Sequence, residues 1–598
     1  MLTKTDGGAA QVLAELSKAL SAGDVEAAVN LFAEKCFWRD LVTFTWNLKT
    51  MEGKDAIRHM LSDQLAATRP SQWALAQDEP VVVKGEVVEA WFTFETNVAR
   101  GDGHLRLKEG KIFTLLTAMR ELIGHEETIK THRPLGAKHG QQKHPRSWKD
   151  EHDGLESSLG TEQQPYAVII GGGQGGIALG ARLKQLGVPT IIVEKNARAG
   201  DSWRNRYKTL CLHDPVWYDH LPYLDFPESW PVFAPKDKLG DFLEMYVSVM
   251  ELTYWTGAVV SHAQFDEETK TWNVTVERDG KTVALQPKQL IFATGMSGHP
   301  HVPDFPGMDQ FKGNQHHSSD HPGPDPFKGK RVVVIGSNNS AHDIAAALWA
   351  EDIDVTMVQR SPTHVVRSET LMELGLGPLY SEEALAKGIT THRADMVFAS
   401  EPYAIMHEGQ IRLHNAIRAR DAQFYERLAK SGFQLTWGED EAGIQMLYLR
   451  RGSGYYIDVG ASDLIASGEI KLAHGQVSAI EEDAIVLEDG TRLYADVVVY
   501  ATGYGSMNAF VADLIGRDAA DKVGKVWGLG SGTRKDPGPW EGEPRNMWKP
   551  THQESLWFHG GNLHQSRHYS LYLALQVKAR MEGIETPVYG MPPVHHRS

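Results

Sequence analysis

The stretch from Tyr166 to Lys195, YAVIIGGGQGGIALGARLKQLGVPTIIVEK, constrains this chain more than any other. A continuous apolar run ends in Gly171, Gly173 and Gly176 at the G-x-G-x-x-G spacing. A helix-forming segment follows, and a second apolar run, Thr190 to Val193, delivers Glu194. That order predicts strand, tight turn, helix, strand and acid. Glycines allow a sharp turn and close approach of the backbone to a pyrophosphate. The helix N-terminus offers unpaired N–H groups with a partial positive charge, and Glu194 can accept hydrogen bonds from a ribose. The stretch is therefore expected to hold a dinucleotide.

The remaining sequence is too long for one core: 598 residues imply roughly three to five domains. A formal net charge of −16 argues against nucleic acid or an anionic membrane as partner. No run approaches the length of a membrane span, and the N-terminus lacks an apolar core before a cleavage site, so a cytoplasmic protein is expected. Cys36 and Cys211 are the two cysteines, too few and too far apart for a disulfide framework or a cysteine-based metal motif.

Residues 1–130 open with helical periodicity (Val12, Leu13, Leu16, Leu20, then Val25, Ala28, Val29, Phe32) and finish in strand-like runs at 81–83, 87–94 and 110–116. Helices followed by strands suggest an α+β unit. With AEKCFWRDLVTF after the second helix and GKDAIRHML as a further helix, the order resembles the cone-shaped SnoaL-like fold. Asp40 and His59 are its candidate polar residues, although the segment reads as a packing or dimerising module rather than a second catalytic centre. Residues 131–164, polar and mixed in charge, read as a linker.

After the first unit comes an aromatic block, Trp203 to Phe233, interrupted by prolines. Its rings either close over a flat ligand or fill a loop core. QLIFATG, residues 289–295, is a buried strand ending on small residues, and it recurs as ADVVVYATGY, residues 495–504. Such endings let backbone pass close to a cofactor, and two copies suggest two nucleotide-binding lobes. The second lobe announces itself in KRVVVIGSNNSA, residues 330–341, where Gly336 is retained, the middle glycine is Asn338 and the last is Ala341. Asn tolerates left-handed backbone better than other non-glycine residues, so the turn is expected to survive there. The following strand ends on Arg360 where the first unit has Glu194; a cation in that place pairs with a 2′-phosphate and so favours NADPH over NADH. The C-terminal GGNLHQSRHYSLYLALQ predicts a turn and a helix that completes the first lobe. His564 and His568 stand four apart on that helix, but without an H-E-x-x-H context no metal is expected.

Between the glycine turns, Phe311, Gly313 and His317 fit F-x-G-x-x-x-H, with His321-Pro322 where an aromatic residue is usual. Together with WRNRYKTLCLHDPVWYDHLPYLDFP and the C-terminal helix, residues of about 165–585 resemble the class B flavoprotein monooxygenases: flavin-containing monooxygenases, YUCCA-type enzymes and Baeyer–Villiger monooxygenases. The YUCCA-like branch looks nearest. The resemblance implies an α/β fold with two Rossmann-like lobes behind the α+β cone. The boundaries drawn are 1–130 cone, 131–164 linker, 165–325 and 476–598 FAD-binding, and 326–475 NADPH-binding. It implies FAD on Gly171, Gly173, Gly175, Gly176, Glu194, Lys195, Ser202, Trp203, His213, Thr294 and Asn562, with Thr502 and Gly503 also at the cofactors. NADPH falls to Gly336, Asn338, Asn339, Ser340 and Arg360. Oxygen from O2 would reach a small organic substrate through a peroxyflavin, by nitrogen or sulfur oxidation or by carbonyl attack. Arg204, Asp214 and His317 are the catalytic candidates, with His213 or Asp214 where relatives keep an Asn. A homodimer is expected. The alternatives are an NADPH-dependent flavin reductase or oxidase, and a degenerate nucleotide-binding partner protein suggested by Asn338 and His321. A disulfide reductase is disfavoured because no cysteine pair lies near the first lobe.

Overall fold

The computed structural model describes residues 8–136, 143 and 146–595. The N-terminal domain is a mixed sheet carrying helices Ala9–Ser21, Val25–Val29 and Gly53–Thr68. Val12, Leu13, Leu16, Ala19 and Leu20 line one side of the first helix, the spacing that turns an apolar stripe inward. Asp24 caps the second helix by accepting the Ala27 N–H. The strand path runs Leu48–Glu52, Phe32–Leu41, Lys111–Leu122, Ala99–Lys108, Val87–Glu95, Ser71–Leu75, with Val82–Lys84 also on Val87–Glu95. Phe32–Leu41 pairs parallel with Lys111–Leu122, whereas the other contacts along this path are antiparallel.

Within the segment expected to be a linker, Trp148–Ser158 is a helix. Ser147 and Asp150 form a reciprocal capping box that satisfies orphan N–H groups at the helix start, and Trp148 Nε1 donates to Glu251 at 2.6 Å. Expected linker residues 137–142 and 144–145 lie outside the described residues.

The first lobe is built on a five-stranded parallel sheet in the order Tyr254–Trp255, Thr190–Val193, Ala167–Ile170, Gln289–Phe292, Leu556–Phe558. Its three central strands are buried almost throughout, which is why they read as unbroken apolar runs. Helix Gln174–Gln185 packs against helix Leu563–Met581, the return segment from the C-terminal part. The second lobe has the parallel order Asn314–His317, Val497–Tyr500, Arg331–Ile335, Asp354–Gln359, Lys471–His474. The expected boundaries at 325 and 476 are therefore displaced. Residues 314–317 and 497–500 both belong to the second sheet, because the chain enters it before the second glycine turn and leaves it only on reaching the second Ala-Thr-Gly.

The aromatic block divides. Phe226 stacks on Trp230 with centroids 4.8 Å apart and meets Phe242 edge-on at 4.8 Å, a loop core against helix Lys236–Val249. Trp203 and Tyr218 go instead to the candidate site.

The N-terminal domain is docked on the lobes through buried groups. Arg39, 0% exposed, donates through Nε and Nη2 to the two oxygens of Glu543 at 2.7 and 2.8 Å, through Nη1 to Ala399 O at 2.6 Å, and through Nη2 to the Tyr569 hydroxyl at 3.1 Å. Thr50 also donates to Glu543. The chain's last described residues return to this domain, with Tyr589 N–H donating to Thr45 O and Asn47 Nδ2 donating to Tyr589 O. Among the described residues no helix is long and apolar enough to cross a membrane.

Candidate functional site

At the first glycine turn the backbone leaves no room for side chains. Gly171 has φ 104°, and a Cβ there would lie 2.5 Å from Ala293 O; one on Gly176 would lie 2.0 Å from Gly171 O. Helix Gln174–Gln185 begins at Gly173 with no side-chain cap, and a Cβ on Gly173 would meet only Ser202 Oγ, at 3.7 Å. The helix thus presents free N–H groups to an open side, the arrangement an anionic pyrophosphate fits. Ser202 Oγ and Thr294 Oγ1 are buried without a hydrogen-bond partner among the described residues. Orphaned hydroxyls beside an uncapped helix end suit a polar ligand. Glu194, 5% exposed, accepts from Gly172 N–H at 2.7 Å and from Asn196 N–H and Nδ2 at 2.8 and 2.6 Å. Its carboxylate is thereby fixed at the turn with acceptor capacity left over. Trp203 Nε1 donates to Gln174 Oε1 at 3.1 Å. Gly175 packs over Gly560 and His559, while Lys195 is exposed.

The second turn repeats the contact. Gly336 has φ 132°, and a Cβ on it would lie 2.3 Å from Ala501 O. In both lobes the strand-end glycine abuts the alanine carbonyl of an Ala-Thr-Gly segment, which explains why those segments recur. Asn338 is the N-cap of helix Asn339–Trp349, without a side-chain cap bond, at φ −102° and ψ −169°. Its backbone is extended, so the left-handed tolerance invoked from sequence is not what selects Asn here. Asn339 Oδ1 accepts the Ile457 N–H at 3.0 Å and so points into the protein, while Ser340 is half-buried on the first turn. Arg360 is exposed at the strand end. Three further cations that sequence reasoning missed share its neighbourhood: burial, then the charges of Arg360, Arg534 and Arg451, lower the pKa of Lys535. Arg451 ends helix Gly443–Arg451 and Arg534 and Lys535 are neighbours in a later loop, so no motif local to Arg360 announces them.

Between the lobes, the loop after the first unit crosses to the second. Tyr207 donates to Asp343 at 2.5 Å, and His213 Nε2 stands 3.4 Å from the same carboxylate. Burial lowers the His213 pKa, but the hydrogen bond and charge of Asp343, with the charges of Asp214 and Asp458, together raise it. Burial pushes the neighbouring Asp214 carboxyl up to about 6, with His213 pulling the other way. Its charge reaches Tyr218, Tyr448 and Tyr455, phenols raised first of all by burial. Asn562 closes this group: its Nδ2 donates to the Tyr218 hydroxyl at 3.1 Å, its N–H to the Tyr448 hydroxyl at 3.0 Å, and its Oδ1 caps helix Leu563–Met581. Asp343, Tyr448 and Tyr455 were not legible as site residues, being contributed by the second lobe and its helical insertion.

Two catalytic candidates do not join this group. The Arg204 guanidinium is taken up by Asp201, Asp241, Glu244 and Ala199 O, an ion cluster against helix Lys236–Val249 that leaves no donor for a flavin. His317, 4% exposed, lies 3.0 Å through Nε2 from Gly503 O, and its Nδ1 accepts the Ser319 N–H at 3.1 Å. Both ring nitrogens are thus engaged, Nε2 at the second Ala-Thr-Gly segment and Nδ1 at Ser319; within that segment the Thr502 hydroxyl donates to His301 O at 2.5 Å. In the N-terminal domain, Asp40 is fully buried, accepting from the Thr45 and Thr117 hydroxyls and the Phe44 and Thr45 N–H groups, whereas His59 is exposed. These two residues form no common pocket.

Parallel sheets, glycine-cradled turns and uncapped helix ends make an α/β fold suited to binding nucleotides. A family model described as pyridine nucleotide-disulphide oxidoreductase matches residues 168–438, spanning both turns. Indole-3-pyruvate monooxygenase YUCCA1 of Oryza sativa subsp. japonica is 32% identical over 343 residues, covering 57% of this chain and 77% of that protein. Probable indole-3-pyruvate monooxygenase YUCCA10 of Arabidopsis thaliana is 28% identical over 347 residues, covering 57% and 82%. An ε-caprolactone-bound crystal structure of cyclohexanone monooxygenase superposes with a TM-score of 0.50 at 18% identity, over 70% of this chain and 88% of that one, a likeness of fold. The chain belongs to the class B flavoprotein monooxygenases, with the YUCCA-type enzymes. It is an NADPH-dependent flavin monooxygenase that uses FAD and NADPH.

Proposed function

We propose that the first lobe seats FAD, the second seats NADPH, and a small organic substrate is oxygenated where residues 207–218 cross between them. The observation that carries this reading is the duplicated cradle: each strand-end glycine abuts an Ala-Thr-Gly backbone ahead of an uncapped helix, the first answered by Glu194 and the second by Arg360. Gly171, Gly173, Gly175, Gly176, Glu194, Ser202, Trp203, Thr294 and Asn562 would hold FAD. Gly336, Asn338, Ser340 and Arg360, joined by Arg451, Arg534 and Lys535, would hold NADPH, the cations taking its 2′-phosphate. When bound, the flavin accepts hydride from NADPH and activates O2, so that one oxygen atom reaches the substrate and the other leaves as water.

The chain orients, shields and moves a proton. Asp214 is the group that accepts or returns a proton at its carboxylate, with a pKa near the operating range because it is buried. His213, tied to Asp343, fixes the crossing loop to the second lobe beside Asp214. Tyr218, Tyr448 and Asn562 close the junction against water through their mutual hydrogen bonds. The names of the relatives make a 2-oxo acid bearing an indole the first substrate to try, through attack on the carbonyl. The N-terminal domain acts as a SnoaL-like packing module, a reading supported by its closed Asp40 and its docking through Arg39.

The test is turnover of indole-3-pyruvate under 18O2. The expected result is 18O in the product and NADPH consumed one for one with it. Hydrogen peroxide matching NADPH, with no label in the product from this acid or from thioether and amine substrates, would instead make the protein an oxidase.

A further inference from the structure

The C-terminal residues form a strap that, besides its bonds to Thr45 and Asn47, is held by His552 Nε2 against Pro592 O at 2.8 Å and by Lys525 N–H donating to His595 O at 2.7 Å. Beneath it lies a cavity of 250 Å³, lined among others by Leu556, Trp557, Val588, Met591, Arg580 and Glu554. It sits at the beginning of edge strand Leu556–Phe558 and the end of helix Leu563–Met581. At 1.5 Å per residue that helix separates Arg580 from Asn562 by about 27 Å. The cavity is thus distinct from the junction between the lobes.

Arg580 sets its chemistry. The guanidinium carbon lies 4.6 Å from the centre of the Trp557 ring, and Trp557 is itself fixed, 0% exposed with Nε1 donating to Gln289 Oε1 at 2.8 Å. Among the described residues the Arg580 guanidinium has no ion-pair or hydrogen-bond partner. The carboxylate in the lining, Glu554, is taken by Lys270 at 2.9 Å. Other buried arginines of this chain are paired: Arg39 with Glu543, Arg545 with Asp536 and Glu541, Arg567 with Asp395. Burial accordingly lowers the Arg580 pKa, against the pull of Tyr166 and Glu554. In a chain of net charge −16, a half-buried guanidinium that forms no ion pair at the wall of a cavity has donors open to an anion.

We propose that this cavity is a second ligand site that binds a small carboxylic acid, its carboxylate on Arg580 and its apolar body against Leu556, Val588 and Met591. A guanidinium stacked on an indole presents its edge to a planar, bidentate acceptor. The apolar walls select a hydrocarbon body over inorganic phosphate. The volume falls below the roughly 300–1,000 Å³ of sites for larger ligands, so a nucleotide does not fit. The inference stands whichever substrate is oxygenated at the junction.

Equilibrium dialysis of the holoenzyme with radiolabelled benzoate tests it. The expected result is one saturable equivalent in the wild type, weakened at least about tenfold both in Arg580→Gln and in Val588→Trp, which keeps the cation and fills the cavity. Flavin absorbance and NADPH oxidation remain those of the wild type in both variants. Absence of saturable binding overturns the proposal. So does binding that neither substitution weakens, which would put benzoate at the junction between the lobes.

Discussion

Asp214 and Asp40 are both pushed up to about 6 by burial, yet their surroundings assign them opposite duties. Asp214 stands among Tyr218, Tyr448 and Tyr455 at the lobe junction. Its replacement in Asp214→Asn is expected to lower kcat/KM by about 10²-fold and to erase the ionisation near 6 from the pH profile, measured between about pH 5 and 8. Asp40 is closed in by four donors and touches nothing that reacts. Its folded pKa lies above the unfolded value, so the stability linked to its protonation is present at low pH and lost as pH rises from about 4 through about 6. Urea unfolding should therefore show the wild type losing up to about 3 kcal/mol relative to Asp40→Asn across that window. Glycine identities were legible at this scale because Gly171, Gly176 and Gly336 are forced by backbone contact. The partners of Arg204 and His317 were not legible, because sequence names a side chain but not the carboxylates or carbonyls waiting for it.

Among elements, the docking of the N-terminal domain centres on one buried ion pair, Arg39 with Glu543. Removing Arg39 alone strands the Glu543 carboxylate, 0% exposed, away from water. Arg39→Met should cost about 3–5 kcal/mol, while the double variant Arg39→Met/Glu543→Met should recover most of that, read from urea or thermal midpoints with FAD bound. The α+β character of this domain was legible from its periodicities, and the two Ala-Thr-Gly strands announced two lobes. Boundaries were less so, because strands 314–317 and 497–500 join the second sheet through pairing with residues far away in sequence. The helix Trp148–Ser158 hid in a polar stretch because its stability comes from a capping box rather than an apolar stripe.

At the level of the molecule, charge is distributed against its total. The chain carries −16 overall, yet Arg360, Arg451, Arg534 and Lys535 gather beside the second lobe from three separate segments. Arg360→Ala is expected to raise the KM for NADPH about tenfold and to leave that for NADH unchanged, with the NADPH preference itself shrinking as salt is added. A reader of the sequence sees only Arg360, at the end of its strand; the other three are brought there by the whole fold. The same long reach governs Arg39, whose partner Glu543 lies 504 positions further along. At a synthesis rate of roughly 5–20 residues per second, the guanidinium waits about 25–100 s for the carboxylate that will bury it. For most of that interval the first domain, complete in sequence once its last strand Lys111–Leu122 is made, holds its docking face open to water until nearly the whole enzyme has been made.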